Sequence, residues 1–244
     1  MRKIRSFLLG FLLLNLLWLL AALALQTRAV PSPVEVYAGF GRVLQAGLLR
    51  HVGASLGRVL AGLGLSLAIG VPLGVLMARS PRWGRVLNPL VYFSYPVPKT
   101  ALLPMAMLLF GLGEGSKVLI LVLTTVFQIV VAARDAAAGL DPAVYRVAVS
   151  AGAGRWFALR EITLPAVLPA LFTGVRVSVG TGLAILLLVE AYGTRAGLGY
   201  YIMDAWSRLS YVEMYGGILT LAVLGAGLFL LLDLAAERLC RWKG

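Results

Sequence analysis

"YRVAVSAGAGRWFALREITLPAVLP", residues 145–169, interrupts a chain that is otherwise greasy enough to live in lipid. It holds a short amphipathic segment, a glycine pair, and then Leu164-Pro165 opening another apolar run. Just upstream, Asp141-Pro142 predicts a helix N-cap followed by proline at the first helical position. Val144, Val147, Ala148 and Ala151 then fall at i, i+3, i+4 and i+7, on one face of a short helix. Gly152 and Gly154 are expected to end it, because glycine tolerates the left-handed geometry that helix stops favour. A second short turn carries Trp156, Phe157 and Arg160 before the next apolar run. A helix-turn-helix this brief cannot build a core of its own. It suits docking into a groove on another protein.

The flanking sequence sets the context. Of 244 residues, 60% are hydrophobic and only 13% charged, whereas a soluble domain of this length needs far more polar surface. Apolar runs long enough to cross about 30 Å of hydrocarbon recur along the chain. The expected class is an integral membrane protein. The net charge of +12 is spread as arginines between apolar runs, the pattern of orienting loop charges and not of a nucleic-acid surface. A single cysteine, Cys240, excludes an intrachain disulfide and argues against a cysteine metal site. His51 stands alone and reads as an interfacial side chain, not a ligand.

Six spans are predicted in an all-α, polytopic chain. The first, Ile4 to Leu25, follows Arg2, Lys3 and Arg5. Its apolar stretch exceeds the roughly 7–15 residues of a signal peptide, so a retained helix is expected over residues 1–25. The second, about Gly53 to Met77, carries Gly53/Gly57 and Gly70/Gly74 at the spacing that lets helices approach closely in lipid, and Pro72 predicts a kink. The third, about Val86 to Phe110, is broken by Pro96, Pro98 and Pro104. Backbone stripped of donors survives in a membrane only under protein or beside water, so this span faces other helices or a pathway. "GLGEGSK" (111–117) misses the phosphate-loop spacing and follows no strand; it is expected to be an external turn starting the fourth span, Val118 to Ala133. The fifth span runs about Pro165 to Val189 and the sixth about Val212 to Leu232, followed by the basic tail "ERLCRWKG". With the N-terminus, 79–85, 134–164 and the tail in the cytoplasm, 13 Lys/Arg lie there and six outside, favouring both termini inside.

Three cations, Arg58, Lys99 and Arg176, fall within spans. Arg176 is eleven residues past Pro165, about 16 Å into the fifth span, where a charge requires a partner or water. Glu190 is about 21 Å further along the same helix and cannot serve. Two roles stay open for Arg176. It is a structural pin, bonded to carbonyls freed by the third-span prolines or to a neighbouring helix, or it lines a pathway with Lys99 and favours anionic or polar solutes. An enzyme would cluster its nucleophiles, carboxylates or ligands near one membrane face, yet the acids scatter around span ends. A self-sufficient ion-coupled secondary carrier, the alternative reading, needs intramembrane carboxylates, and only Glu190 approaches eligibility. The chain has no ATP-binding motif and no internal repeat.

The opening stretch resembles the loop of ATP-binding-cassette importer permeases written EAA-x3-G-x9-I-x-LP. Gly152 is followed ten residues later by Ile162, then Thr163, then Leu164-Pro165. Ala148 agrees, while Arg146 and Val147 stand where glutamate and the first alanine are expected. "SLGRVLAGLGLSLAIGVPLG", "PVPKTALLPMAMLLFGLGEGSK", "GVRVSVG" and "VEAYGTRAGLGYYI" are similar to the nitrate/sulfonate/taurine branch, which also includes importers of thiamine precursors and riboflavin. The resemblance covers residues 53 to 240. It implies a type I importer permease domain there, with 141–165 as the coupling loop and Val144, Arg146, Val147, Ala148, Ala151, Gly152, Ile162, Leu164 and Pro165 as its ATPase-coupling residues. It also implies an inner (plasma) membrane location, a second copy of the chain, two ATPase subunits that bind the ATP and magnesium, and an extracytoplasmic solute-binding protein. No cofactor is expected in the chain itself.

Overall fold

The computed structural model describes residues 2–243, with side chains from Leu9 to Trp242. The side chains of Arg2, Lys3 and Arg5, the basic flank of the first span, lie outside the described residues. Helices α1 (Arg2–Leu25), α2 (Pro33–Gln45), α3 (Leu48–Arg79) and α4 (Pro81–Ser94) open the chain. After a break come α5 (Leu103–Phe110), α6 (Glu114–Ala138) and α7 (Pro142–Ser150). A three-residue turn α8 (Arg155–Phe157), a π-helical turn (Ala158–Thr163) and α9 (Leu164–Ala191) run on as one rod, and α10 (Leu198–Ser207) and α11 (Tyr211–Leu239) complete it. Among the described residues, four rods are long and apolar enough to cross a membrane: Leu48–Arg79, Glu114–Ala138, Arg155–Ala191 and Tyr211–Leu239. They correspond to the second, fourth, fifth and sixth predicted spans.

Helices α3, α6 and α9 form the centre of the bundle, with α11 against α9 and α2 and α10 against α11. Val59, Leu63, Ile120, Ile129, Val167, Val179 and Leu186 fill the space between them. Lipid tails are as apolar as leucine, so close packing, not burial from water, must hold such helices together. Glycines on α3 supply that proximity. A Cβ at Gly74 would lie 2.5 Å from the Val130 carbonyl oxygen, and one at Gly70 2.9 Å from Ile129 Cγ2. Gly62 meets α6 in the same way, at Leu121. Gly53 and Gly57, predicted to act likewise, have nothing within 4 Å; both lie on the exposed side of α3. Ser66 and Thr125 hydroxyls, 2.7 Å apart and buried, join the two helices at mid-height. Helix α3 runs unbroken through Pro72.

The third predicted span is two pieces. α4 stops at Ser94, a short 3-10 turn covers Lys99–Leu102, and α5 follows. In a continued helix the Ser94 carbonyl would accept from residue 98, which is proline and has no N–H. The Val97 amide, at 3.3 Å, and Lys99 Nζ donate to Ser94 O instead, and Lys99 Nζ also reaches Tyr95 O at 3.3 Å. Helix α1 lies apart from the core, tied by Trp18, which donates from Nε1 to Pro31 O at 3.0 Å and stacks on Tyr215 at 5.4 Å.

Candidate functional site: coupling loop, ionic staple and groove

Over 141–152 the loop folds as its residues predict, and from Arg155 it runs on into α9. Asp141 accepts from the Ala143 amide at 2.7 Å, and Pro142 occupies the first helical position. α7 ends at Gly152, whose φ of +83° lets the 152 and 153 amides turn back onto Val149 and Ala148 carbonyls, both at 2.9 Å. No side chain of α7 is buried. Val147 is 67% and Trp156 72% exposed, and Val144, Arg146, Ala151 and Phe157 are exposed with them. Ala148, Ile162 and Pro165 are half-buried, and Leu164 opens α9.

Tyr145, a residue the spacing argument passed over, fastens this loop to the bundle. The Arg79 guanidinium lies 3.7 Å above its ring, and its hydroxyl is 2.9 Å from Thr163 Oγ1. Thr163 in turn donates to the Ala158 carbonyl, five residues back, at 3.1 Å. It therefore accepts from Tyr145, and the pair sits on the π turn. π turns concentrate at functional positions because the extra residue leaves backbone groups to be satisfied elsewhere. The outer face of α7 is thus free while its inner edge is clamped.

At the far end of the bundle the structure assembles charges that the sequence left scattered. Arg58 donates from Nη1 to Glu190 Oε1 at 2.6 Å and to Ala196 O at 2.8 Å, and from Nε and Nη2 to Glu114 at 2.5 and 2.6 Å. Ser55 Oγ and the Gly199 amide complete the Glu190 carboxylate, at 2.8 and 2.7 Å from Oε2. Lys117 is fully buried and donates to the carbonyls of Leu112, Gly113 and Gly193; the supposed phosphate-loop lysine ties two loops together. Gly197 has φ +128°, and a Cβ there would sit 2.5 Å from Arg58 Nη1. His51 Nδ1 lies 3.0 Å from the Gly197 carbonyl, and the ring packs on Tyr200 and Tyr201. Burial pushes the Tyr201 phenol up to about 12. Glu190 is a staple, fully paired.

The remaining span charges lie elsewhere. Arg176 pairs with Asp233 on α11, each about half exposed. The partner of Arg176 is thus on a neighbouring helix, while the Ser94 carbonyl freed by Pro98 goes to Lys99. Between α6 and α9 a groove of about 840 Å³ opens, lined by Tyr95, Gln128, Thr173, Val177 and Trp242 among others. A second cavity of about 350 Å³ shares Tyr95 and Gln128 and adds Lys99 and Thr124.

Residues 70–243 match the family described as binding-protein-dependent transport system inner membrane component. The chain belongs to that family. It is 31% identical to the taurine transport system permease protein TauC of Escherichia coli (strain K12) over 239 residues, 95% of this chain and 87% of that one. It is 29% identical to the putative aliphatic sulfonates transport permease protein SsuC of Bacillus subtilis (strain 168), across 88% of this chain and 78% of that one. A chain of the MetNI methionine ABC transporter, solved in inward-facing conformations, shares the fold at a TM-score of 0.67 and 21% identity, covering 81% of this chain and 96% of that chain. The protein is therefore a permease subunit of an ATP-binding-cassette importer, multi-pass in the plasma membrane, and not an enzyme; the ATPase is a separate subunit of such systems. Membership sets aside the self-sufficient carrier, whose only eligible carboxylate, Glu190, is held by Arg58 and Ser55.

Proposed function

We propose that two copies of this permease, each crossing the membrane six times with both termini in the cytoplasm, enclose a pathway for a small sulfonate-type solute. A solute-binding protein delivers the solute outside. Two ATPase subunits, which carry the ATP and magnesium, dock on the 141–165 loops. One observation carries this reading: α7 is clamped by Tyr145 yet presents Val144, Val147 and Ala151 with nothing over them. An apolar face held rigidly clear of its own bundle is preorganised for a partner's groove. Arg146 on the same outer side gives that partner a cation to meet where related loops offer a carboxylate. Lys99 and Arg176 are assigned structural bonds first, with Lys99 also bordering the groove.

The second copy is supported by α9. Thr173, Val177, Ala184 and Leu188 form one exposed stripe along it. Gly174 and Gly182 instead turn to α6, at Ala132 and at Leu121. The sulfonate-type solute is supported by the relatives, whose names state taurine and aliphatic sulfonates.

The test is a photo-crosslinking amino acid placed singly at Val147, Trp156 and Tyr145 of the permease expressed with its ATPase subunit. Adducts to the ATPase are expected from Val147 and Trp156, with ATP-dependent taurine uptake in the parent. No adduct from either outward position would remove the docking assignment.

A further inference from the structure

Gln128 stands where the two cavities meet, as one of the two side chains that line both. Its carbonyl end is spoken for. Ser178 Oγ, on a fully buried side chain, donates to Gln128 Oε1 at 2.8 Å, and Thr181 Oγ1 lies 3.3 Å from the same atom. The Ser178 hydroxyl thereby fixes which way the amide points, while the Thr181 hydroxyl has a nearer acceptor in the Val177 carbonyl, at 3.1 Å. No described residue accepts from Nε2, which leaves the two protons of that nitrogen for whatever occupies the cavity.

The surroundings restrict the occupant. Among the residues lining the two cavities Lys99 is the one charged side chain, and there is no carboxylate. Its ammonium gives bonds to the Ser94 and Tyr95 carbonyls and has a third proton to offer. Tyr95, exposed between the cavities, adds a phenol. The walls are otherwise mainly apolar: Val131, Ala132, Ala170 and Val177 in one cavity, Phe127 and Ile185 in the other. Donors with one cation and no anion, in an apolar wall, favour a small solute bearing acceptor oxygens and negative charge. A cation would meet an ammonium with nothing to offset it.

We propose that Gln128, oriented by Ser178, is a solute-contacting residue, donating from Nε2 to a small oxyanion held between the two cavities beside Lys99. The inference rests on the importer reading and places a contact site inside it. A passing site needs donors that engage each solute without holding it, and a neutral amide beside one partly engaged ammonium meets that requirement better than a bare charge pair.

The experiment uses the full chain in membrane vesicles, with Cys240→Ser and a reporter cysteine, Thr124→Cys, in the smaller cavity. Labelling of that cysteine by N-ethylmaleimide is followed with methanesulfonate or tetramethylammonium present. Methanesulfonate is expected to slow labelling and tetramethylammonium to leave it unchanged. Gln128→Leu is expected to raise the half-protecting methanesulfonate concentration about tenfold or more, the loss of one hydrogen bond to a charged group. Gln128→Glu keeps the shape, replaces the donor by a carboxylate, and is expected to abolish protection. Protection absent in the parent, or unchanged in either variant, overturns the proposal. The assay needs neither ATP nor a partner. ATP-driven uptake without protection would defeat this site and leave the importer intact; protection without uptake would do the reverse.

Discussion

Arg58 Nη1 lies 2.6 Å from Glu190 Oε1, and the two side chains are 2% and 0% exposed. They come from α3 and α9, 132 residues apart in sequence. Between them they hold the ends of three spans, because Arg58 also grips Glu114 at the start of α6. Every acceptor and donor here is engaged, by Ser55, Gly199 and Ala196 among others. Removing one member of such a pair leaves an uncompensated buried charge and costs about 3–5 kcal/mol, whereas replacing both by apolar groups is often close to neutral. Arg58→Ala, which strands the Glu190 carboxylate without a cation, is therefore expected to lose most of its folded yield, and Glu190→Ala, in which Arg58 keeps Glu114, to lose less. The double variant Arg58→Met/Glu190→Leu should be more stable than Arg58→Ala, since no buried charge is left alone, although the Ser55 hydroxyl and the Gly199 amide lose their acceptor. Thermal unfolding in detergent checks this; an Arg58→Ala protein that melts with the parent would refute the staple.

The helix contact makes a sharper contrast between residues of one type. Gly74→Ala drives a methyl group against the Val130 carbonyl, the Ala133 side chain and the Arg134 amide, two of them backbone atoms that cannot rotate away. Overpacking of that kind costs about 1–3 kcal/mol. Gly57→Ala meets nothing within 4 Å and gains helix propensity, up to about 1 kcal/mol. Opposite shifts in melting temperature are expected, and equal shifts would mean that α3 and α6 pack differently.

How far the sequence could be read depended on whether the deciding contact was local. Asp141, Pro142 and Gly152 act on backbone within a turn of themselves, so their chemistry was visible in the string. The four long rods were visible through their hydropathy. The break at Pro96 and Pro98 was visible too, and its repair could have been found, since the residue four past Ser94 is a proline and the next is a lysine. Glu114 and Glu190 resembled ordinary span-end charges and Arg58 an unpaired charge inside a span, because nothing in one chain's spacing brings three helix ends together. Gly53/Gly57 and Gly70/Gly74 share one pattern, and only the placement of α6 tells which pair is covered. Tyr145 was missed because it lies off the apolar face; its signal was an aromatic with a hydroxyl on the inner edge of a helix too short to stand alone.

Tyr145 carries a prediction about coupling. Its hydroxyl bridges α7 to the π turn leading into α9, while its ring under Arg79 joins α7 to the end of α3. Tyr145→Phe keeps the ring and removes the bridge, for a loss of about 0.5–1.5 kcal/mol in the loop's position. The ATPase should still dock and hydrolyse, but less solute should move per ATP. Tyr145→Leu, losing ring and hydroxyl, should lower that ratio further. A simple folding defect would reduce hydrolysis and uptake together, so an unchanged ratio in Tyr145→Phe would dismiss the bridge as a transmitting contact.

Arg176 and Asp233 set the last test, of how α11 is held to α9. Both side chains are about half exposed in the single chain, and α11 otherwise buries little against the bundle. Near lipid, where each charge alone is costly, the pair is worth more than a surface ion pair in water. Arg176→Lys keeps the charge but gives up the planar fork of donors, so a partial loss of stability is expected from it and a larger one from Arg176→Ala. The exchange Arg176→Asp/Asp233→Arg restores the pair with its ends reversed. If the ion pair is the pin, the exchanged protein should recover both assembly and transport relative to Arg176→Asp alone. Recovery of assembly without transport would move Arg176 from the pin to the pathway, because a solute senses where the positive charge sits and a helix contact senses only that the two charges meet.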